Sequence, residues 1–265
     1  MPETFFRKLL LAPEGNSKPV GWVQCVNTCV VLGGVAWIGW LILQNSGLHW
    51  DWAAVGAYWR LFAAGWGTTV GISLGALGLS TLLGVLVALG QRSRLLPLRY
   101  AVHGYVELVR GTPLLAQIYI LFYIVAEAVR LENRVVAGIL TLSIFSGAYL
   151  AEVFRAGIES VGRSQLESAQ AIGLTRVQTY RYIILPQALR VVLPAMTGQF
   201  VSLIKDSSLL SIIGVNELTQ SARNVASYTF SNFESYLLLA AGYLLLTLPI
   251  SLWTRRLEAR FRYET

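Results

Sequence analysis

Five polar residues lie close together near the end of one apolar run of the sequence. Gln199, Ser202 and Asp206 have the spacing i, i+3, i+7, which places them on one face of a helix, and Lys205 and Ser207 stand beside them. A ligand that carries both an ammonium and a carboxylate group needs an acidic partner for the first and hydrogen-bond donors for the second. Asp206 could supply the acid, and Lys205 or the hydroxyls of Ser202 and Ser207 could supply the donors. The cluster therefore indicates a site for a small zwitterion.

The same residues allow a structural alternative. If the apolar run crosses a membrane, Lys205 and Asp206 could mark its outer end, where they would pair with each other or with lipid headgroups. Polar groups inside a membrane span are costly, however, and by default they indicate function. We favour the binding site, because an interfacial pair alone would not require the aligned Gln199 and Ser202.

Composition places these residues in an integral membrane protein. Of the 265 residues, 55% are hydrophobic and only 13% are charged, and the mean hydropathy is +0.56. A soluble domain usually has about a quarter charged residues. Several apolar runs approach the ~20 residues that a spanning helix needs, whereas the short alternating segments of an outer-membrane barrel are absent. The sequence thus predicts an all-α integral membrane fold.

The apolar windows predict about six membrane spans. They lie at about residues 20–43, 67–89, 97–129, 135–154, 186–210 and 236–253. Clusters of arginine follow the second, fourth and sixth windows, which predicts that these ends and both termini are cytoplasmic. These clusters account for the net charge of +7, so the charge does not indicate a nucleic-acid-binding surface. The Trp-rich residues 48–66 are expected to form an interfacial loop on the outer face.

The third window contains a predicted break. Pro113 lacks a backbone donor and disfavours helix at Thr112, so a kink is expected there. Arg110 precedes the break and could pair with Glu107, its i−3 neighbour. The break could be a gate or a structural elbow; we favour the elbow and keep Arg110 as a secondary candidate for substrate binding.

Residues 164–190 form a second region of interest, because helix signals punctuate a polar connection between two windows. Ser164 and Glu167 have the spacing of a capping box, and Gly173 stands where a helix would end. Thr175 and Gln178 repeat the capping spacing.

Two short helices separated by a glycine are therefore predicted, after which Pro186 marks the entry into the next span. The first helix carries small side chains at Ser168, Ala169 and Ala171, so its backbone could approach another surface closely. A helix of two turns is not stable alone. It is either a structural element packed on its own chain or a docking helix for a cytoplasmic partner, and spacing alone does not separate the two.

Other classes of site find little support in the sequence. It lacks the G-x-x-x-x-G-K-[ST] loop that holds ATP phosphates, and it contains no nucleophile–base pair or metal-ligand set. Cys25 and Cys29 lie four residues apart in an apolar run and are interpreted as packed thiols. We therefore predict a non-catalytic protein with no metal and no cofactor of its own.

Five ordered motifs resemble one protein family. The connection with Glu167, Ser168, Ala169 and Gly173, followed by I-L-P at 184–186, resembles the EAA loop of ABC-importer permeases, with Ser168 in place of the family's first alanine. VELVRGTPLLAQ (106–117), AYLAEVFRAGIESV (148–161), ILPQALRVVLPA (184–195) and QFVSLIKDSSLLSIIGVNEL (199–218) are similar to signatures of the polar amino-acid permeases. The resemblance covers about residues 61–258.

The resemblance implies a type I ABC-importer permease in a bacterial cytoplasmic (inner) membrane. A five-helix core would occupy residues 61–258, preceded by an additional transmembrane helix within residues 1–60 and followed by a cytoplasmic tail at 259–265. The implied partners are a second permease subunit, two ATPase subunits that bind ATP and Mg²⁺, and an extracytoplasmic amino-acid-binding protein. The ATPase would dock on residues 164–185, with Glu167, Ser168, Ala169, Ala171 and Gly173 at the contact.

Related permeases have a glutamate or glutamine at the position of Gln199. A neutral Gln199 favours neutral polar or acidic amino acids over basic ones. The alternative function is a secondary transporter driven by an ion gradient, which would predict internal repeats and coupling carboxylates in mid-span. No repeat is apparent in the sequence, and Glu152 alone is a poor coupling candidate.

Overall fold

The computed structural model describes residues 21–45 and 50–261. The chain divides into two compact units, of which the first ends at Trp50 and the second begins at Asp51. The described part of the first unit contains one helix, α1 (Gly21–Asn45). Cys25 and Cys29 are exposed on α1, so the interpretation as packed thiols is wrong: their neighbours on this helix are mostly exposed as well. The predicted cytoplasmic segment before α1 and residues 262–265 of the predicted tail lie outside the described residues.

The described part of the second unit consists of helices joined by short connections and contains no strand, which confirms the predicted fold class. Five of the described helices, α1 included, are long and apolar enough to cross a membrane, and a sixth span results if the bent pair Leu96–Gly111 and Leu114–Ala126 is counted as one span. The helices are α2 (Trp52–Gly56), α3 (Trp59–Gln91), α4 (Leu96–Gly111), α5 (Leu114–Ile120), α6 (Arg134–Glu159), α7 (Arg163–Ala171), α8 (Arg176–Thr179), α9 (Leu185–Asp206), α10 (Leu218–Thr229) and α11 (Asn232–Phe261).

Three irregular helical segments extend these elements. A π-helix follows α5 (Leu121–Ala126), a second π-helix joins α8 to α9 (Tyr180–Ile184), and a 3₁₀ helix follows α9 (Ser207–Ile213). The 3₁₀ helix ends at Gly214, whose φ of +74° is a left-handed conformation that glycine adopts without strain.

The predicted interfacial loop at 48–66 is wrong in part. Residues 59–66 are the first turns of α3, because no glycine or proline in this stretch interrupts the helix before Gly65. Before it, the described residues of this stretch form the short helix α2, which is capped by the Asp51 side chain; Asp51 accepts a hydrogen bond from the Ala54 amide at 2.8 Å.

Long helices α3 and α6 pack against each other and form the centre of the second unit. Their backbones approach closely where glycine faces a branched side chain: a Cβ at Gly84 would lie 2.8 Å from Leu150, and one at Gly147 would lie 2.9 Å from Leu83. Helix α9 packs on α6 and on α11, so its polar face is positioned by both.

The caps of the 164–190 connection are partly as predicted. Helix α7 begins at Arg163 with Gly162 as its N-cap, so the predicted capping box of Ser164 and Glu167 is wrong; Ser164 already lies inside the helix. Its end is confirmed, because Gly173 has φ +78° and the amides of Gly173 and Leu174 donate to the carbonyls of Gln170 and Ala169, both at 3.0 Å.

Helix α8 has the predicted capping box of Thr175 and Gln178. It does not stop before the next span, which is a correction to the predicted pair of separate short helices. The chain runs from α8 through the π-helix into α9, and Pro186 lies in the first turn of α9. The wider π turn before Pro186 accommodates a residue that cannot donate an α-helical hydrogen bond.

Candidate functional site

The polar face of α9 is present in the structure. Gln199, Ser202 and Asp206 are all partly buried within the second unit. The Gln199 amide nitrogen lies 3.5 Å from the hydroxyl of Ser146, a buried residue of α6, so the polar face continues onto the neighbouring helix. Asp206 is the last residue of α9, at the change from α-helix to 3₁₀ helix.

The two remaining candidates on this segment differ from the aligned three. Lys205 is exposed, whereas Ser207 is fully buried and donates its hydroxyl proton to the Ile204 carbonyl at 2.7 Å. Among the described residues, no ion pair joins Lys205 to Asp206. Asp206 is therefore free to accept hydrogen bonds from a bound ammonium group, and of the two serines Ser202 is the better placed donor.

Arg110 is held by helix α6. Its guanidinium lies 3.3 Å from the Glu152 carboxylate and 5.5 Å from the centre of the Tyr149 ring. The expected pairing with Glu107 is wrong, because α4 packs against α6 and Arg110 reaches the acidic residue of that helix. Arg110 thus has a structural partner and is not brought next to Asp206 by any contact among the described residues.

Glu152 connects three helices. Besides Arg110 at the end of α4, it accepts a hydrogen bond from Gln91 at the end of α3 (3.1 Å) and pairs with Arg155 of its own helix (2.8 Å). A carboxylate with this many charged and polar partners fixes the relative positions of the helix ends that provide them.

The predicted break in the third window is confirmed. The chain bends by 112° between α4 and the segment that begins with α5. Pro113 cannot donate to the Val109 carbonyl four residues earlier, and Gln117 supplies the missing donor at 2.7 Å. Gln117 also donates to the Thr112 hydroxyl at 2.8 Å. Sequence reasoning missed Gln117, although a glutamine one helical turn after a proline was the available signal.

Glu217 is a second residue that the sequence did not single out. In the structure it is fully buried and caps α10, where its carboxylate accepts from the amides of Thr219 (2.9 Å) and Gln220 (2.8 Å) and from the Tyr243 hydroxyl (2.9 Å). Burial raises the pKa of Glu217, and these hydrogen bonds oppose that rise. The role of Glu217 is to anchor α10 to α11.

The proposed docking helix α7 shows a mostly exposed face. Glu167, Ser168, Ala171 and Gly173 are exposed, whereas Ala169 is only 2% exposed and packs on its own chain. The small Ala169 side chain thus permits close packing within the chain.

Two large apolar residues in the turn after α7 and in α8 are largely exposed. Ile172 is 75% exposed and Val177 is 76% exposed. Both residues are therefore exposed on the same connection as the proposed docking residues.

Comparisons with known proteins agree on one family. The family described as "Binding-protein-dependent transport system inner membrane component" matches residues 80–263. The probable glutamine ABC transporter permease protein GlnM of Bacillus subtilis is 36% identical over 200 residues, which are 76% of this chain and 93% of that protein. The glutamine transport system permease protein GlnP of Escherichia coli is 33% identical over 81% of this chain and 99% of that protein.

Solved structures show the same fold. A chain of an amino acid ABC transporter crystallised with histidines is 34% identical, with a TM-score of 0.75 over 80% of this chain and all of that one. A chain of the MetNI methionine ABC transporter in an inward-facing conformation, 18% identical, shares the fold with a TM-score of 0.63. The resemblance found in the five motifs is thereby confirmed, and the chain belongs to the family of binding-protein-dependent transport system inner membrane components.

Proposed function

We propose that this chain is the permease subunit of an ATP-driven importer of polar amino acids, with neutral polar or acidic substrates preferred over basic ones. The observation that carries this proposal is the partly buried polar face of α9, where Gln199, Ser202 and Asp206 line up beside Ser146 of α6. The named functions of its relatives support the substrate class, since two of them are glutamine permeases and one related structure is an amino-acid transporter.

In this function, Asp206 accepts hydrogen bonds from the substrate ammonium group, while Ser202 and Lys205 donate to its carboxylate. Gln199 contacts the substrate side chain through an amide that carries no charge, which favours glutamine-like ligands over cationic ones. Ser207 supports the turn after α9, and Arg110 acts through Glu152 as a positioning residue.

Energy is supplied by other subunits. Two ATPase subunits, which bind ATP and Mg²⁺, dock on α7 and the start of α8, where Glu167, Ser168, Ala171, Gly173 and the apolar Ile172 are exposed. This chain pairs with a second permease subunit, and an extracytoplasmic binding protein delivers the substrate. ATP binding and hydrolysis switch the pair between outward- and inward-facing states, with both termini of this chain in the cytoplasm.

Competition uptake tests the substrate class. Proteoliposomes that contain the complete assembly and its binding protein are given labelled glutamine together with excess unlabelled glutamine, glutamate or arginine. We expect glutamine to compete best and arginine worst, because the polar face carries one carboxylate and a neutral amide. Stronger competition by arginine than by glutamine would contradict the proposed preference. That result would not bear on the proposal that import is driven by ATP.

A further inference from the structure

A polar cavity lies outside the proposed substrate and docking sites. It is formed by the end of α3, the first half of α4 and the end of α6, and its volume is ≈ 460 Å³. Its lining residues are Gln91, Arg92, Arg99, His103, Arg155 and Glu159. Because α3 and α6 are membrane spans that end here, the cavity is at the level of one membrane surface.

The cavity has an excess of positive charge. Three arginines face a single carboxylate, that of Glu159, and this carboxylate is already paired with Arg155 at 2.7 Å. Arg155 also pairs with Glu152 at 2.8 Å. The side chains of Arg92 and Arg99 form no hydrogen bond or ion pair within the part of the chain that the structure describes. Two guanidinium groups are therefore available to an anion.

Gln91 contributes an unused acceptor. Its side chain is almost fully buried (4% exposed), and its amide nitrogen donates to Glu152 at 3.1 Å. Its carbonyl oxygen has no hydrogen-bond partner, which is uncommon for a buried polar atom. A ligand that satisfies this cavity would place a hydroxyl donor next to Gln91 and a negative group next to the arginines.

The surroundings of the cavity are apolar. Leu95 and Leu96 are 67% and 59% exposed at the start of α4, and Tyr100 is 73% exposed one turn later. On the opposite side of α4, Val102, Val106 and Val109 pack against α3 and α6. Helix α4 therefore presents apolar side chains beside the arginines, as interfacial helices do in contact with lipid.

We propose that this cavity binds the headgroup of an anionic, hydroxyl-bearing glycerophospholipid of the phosphatidylglycerol class. Arg92 and Arg99 donate to its phosphate, and the Gln91 carbonyl accepts a hydrogen bond from a glycerol hydroxyl. The acyl chains lie along the exposed leucines of α4. A basic pocket between transmembrane helices at the membrane surface is the geometry by which proteins retain such lipids. The bound lipid would hold the ends of α3 and α6 against α4.

Native mass spectrometry of the complete transporter tests this site. The assembly is titrated with phosphatidylglycerol and, separately, with phosphatidylcholine. We expect tighter binding of phosphatidylglycerol, and a loss of about fivefold in its affinity for each of Arg92→Gln and Arg99→Gln. Arg94→Gln is the matched control, since Arg94 lies in the same basic loop without lining the cavity, and it should leave the affinity unchanged.

A second variant tests the hydroxyl contact. Gln91→Met should weaken the binding of phosphatidylglycerol and leave that of phosphatidic acid, which has no headgroup hydroxyl beyond its phosphate, unchanged. Equal affinity for phosphatidylcholine, or an equal loss in Arg94→Gln, would overturn the proposal.

Two further results would also overturn it. If glycerol 1-phosphate displaced the lipid with comparable affinity, the ligand would be a free phosphate ester. If the two arginine variants released the ATPase subunit and bound lipid normally, the cavity would be a protein contact.

Discussion

Asp206 provides the most direct test at the scale of single residues. It is partly buried at the end of α9 and has no ion-pair partner within the described residues, so a substrate ammonium group would be its main counter-charge. Asp206→Asn keeps the size of the side chain and removes the charge. We expect uptake to fall by at least about tenfold, since a hydrogen bond to a charged group contributes ~1.5–3 kcal/mol.

Glu132→Gln is the control for that measurement, because Glu132 is an exposed carboxylate in the connection between the π-helix after α5 and α6. Both variants are compared in proteoliposomes at equal amounts of inserted protein. Normal uptake by Asp206→Asn would place the substrate site elsewhere.

At the scale of secondary structure, the break between α4 and α5 depends on Gln117. Its amide takes over the donor role that Pro113 cannot fill towards the Val109 carbonyl. Gln117→Met preserves the volume and removes the donor, so a buried carbonyl is left without its partner. The expected loss of stability is ~1–3 kcal/mol. It is measured as a lower thermal midpoint of the assembly in detergent, compared with Leu115→Met in the same helix, whose exposed side chain donates no hydrogen bond. An unchanged midpoint in Gln117→Met would contradict this role.

The turn after α7 carries a prediction for coupling. Gly173 has φ +78°, a conformation that costs other residues roughly 1–2 kcal/mol, and no atom of the described residues lies within 4 Å of where its Cβ would be. Gly173→Val should therefore disturb the angle between α7 and α8, and extend into the space of a docked partner.

We expect membrane insertion of Gly173→Val to be normal and ATP-dependent uptake to be largely lost. Gly162→Ala is the matched control, since Gly162 lies just before α7 and has an ordinary φ of −60°. Unimpaired uptake by Gly173→Val would remove the docking role from this turn.

Local patterns in the sequence predicted some of these elements well. Apolar windows located the long spans, because burial in lipid requires an uninterrupted run of apolar residues. Gly173 and the pair Thr175–Gln178 were recognisable, since their chemistry acts within one helical turn. Pro113 likewise predicted the break between α4 and α5, because the effect of a proline on a helix also lies within one turn.

Contacts between segments that are distant in the sequence could not be predicted from such local patterns. The pairing of Arg110 with Glu152 depends on how α4 packs on α6, and the nearer Glu107 was the only partner that spacing could suggest. Helix α10 lies outside the predicted apolar windows, and its cap Glu217 is buried because α10 packs on both α3 and α11. The alignment of Gln199, Ser202 and Asp206 was predictable from the helical period, whereas the approach of Ser146 was not.

On the scale of the whole molecule, the proposed docking helix and the proposed substrate face are linked by continuous helical structure. Helical structure is continuous from Arg176 to Asp206, a length of about 45 Å, although a π-helix and Pro194 interrupt its regular hydrogen bonding. Helix α7 contacts the first part of this helical stretch in two ways. Gln165 is hydrogen-bonded to Gln187, and Leu166 packs on Val161 and Ile184. In the proposed function, this connection would link an ATPase docked at α7 to a substrate bound at Asp206.

Uptake in proteoliposomes measures the energy source of transport. The complete assembly and its binding protein are supplied with labelled glutamine, with ATP or a non-hydrolysable analogue on the ATPase side, and with or without ionophores that collapse ion gradients. We expect uptake that requires hydrolysable ATP and persists after the gradients are collapsed. Uptake that proceeds without ATP and stops when the ionophores are added would contradict it, and would support a secondary transporter instead.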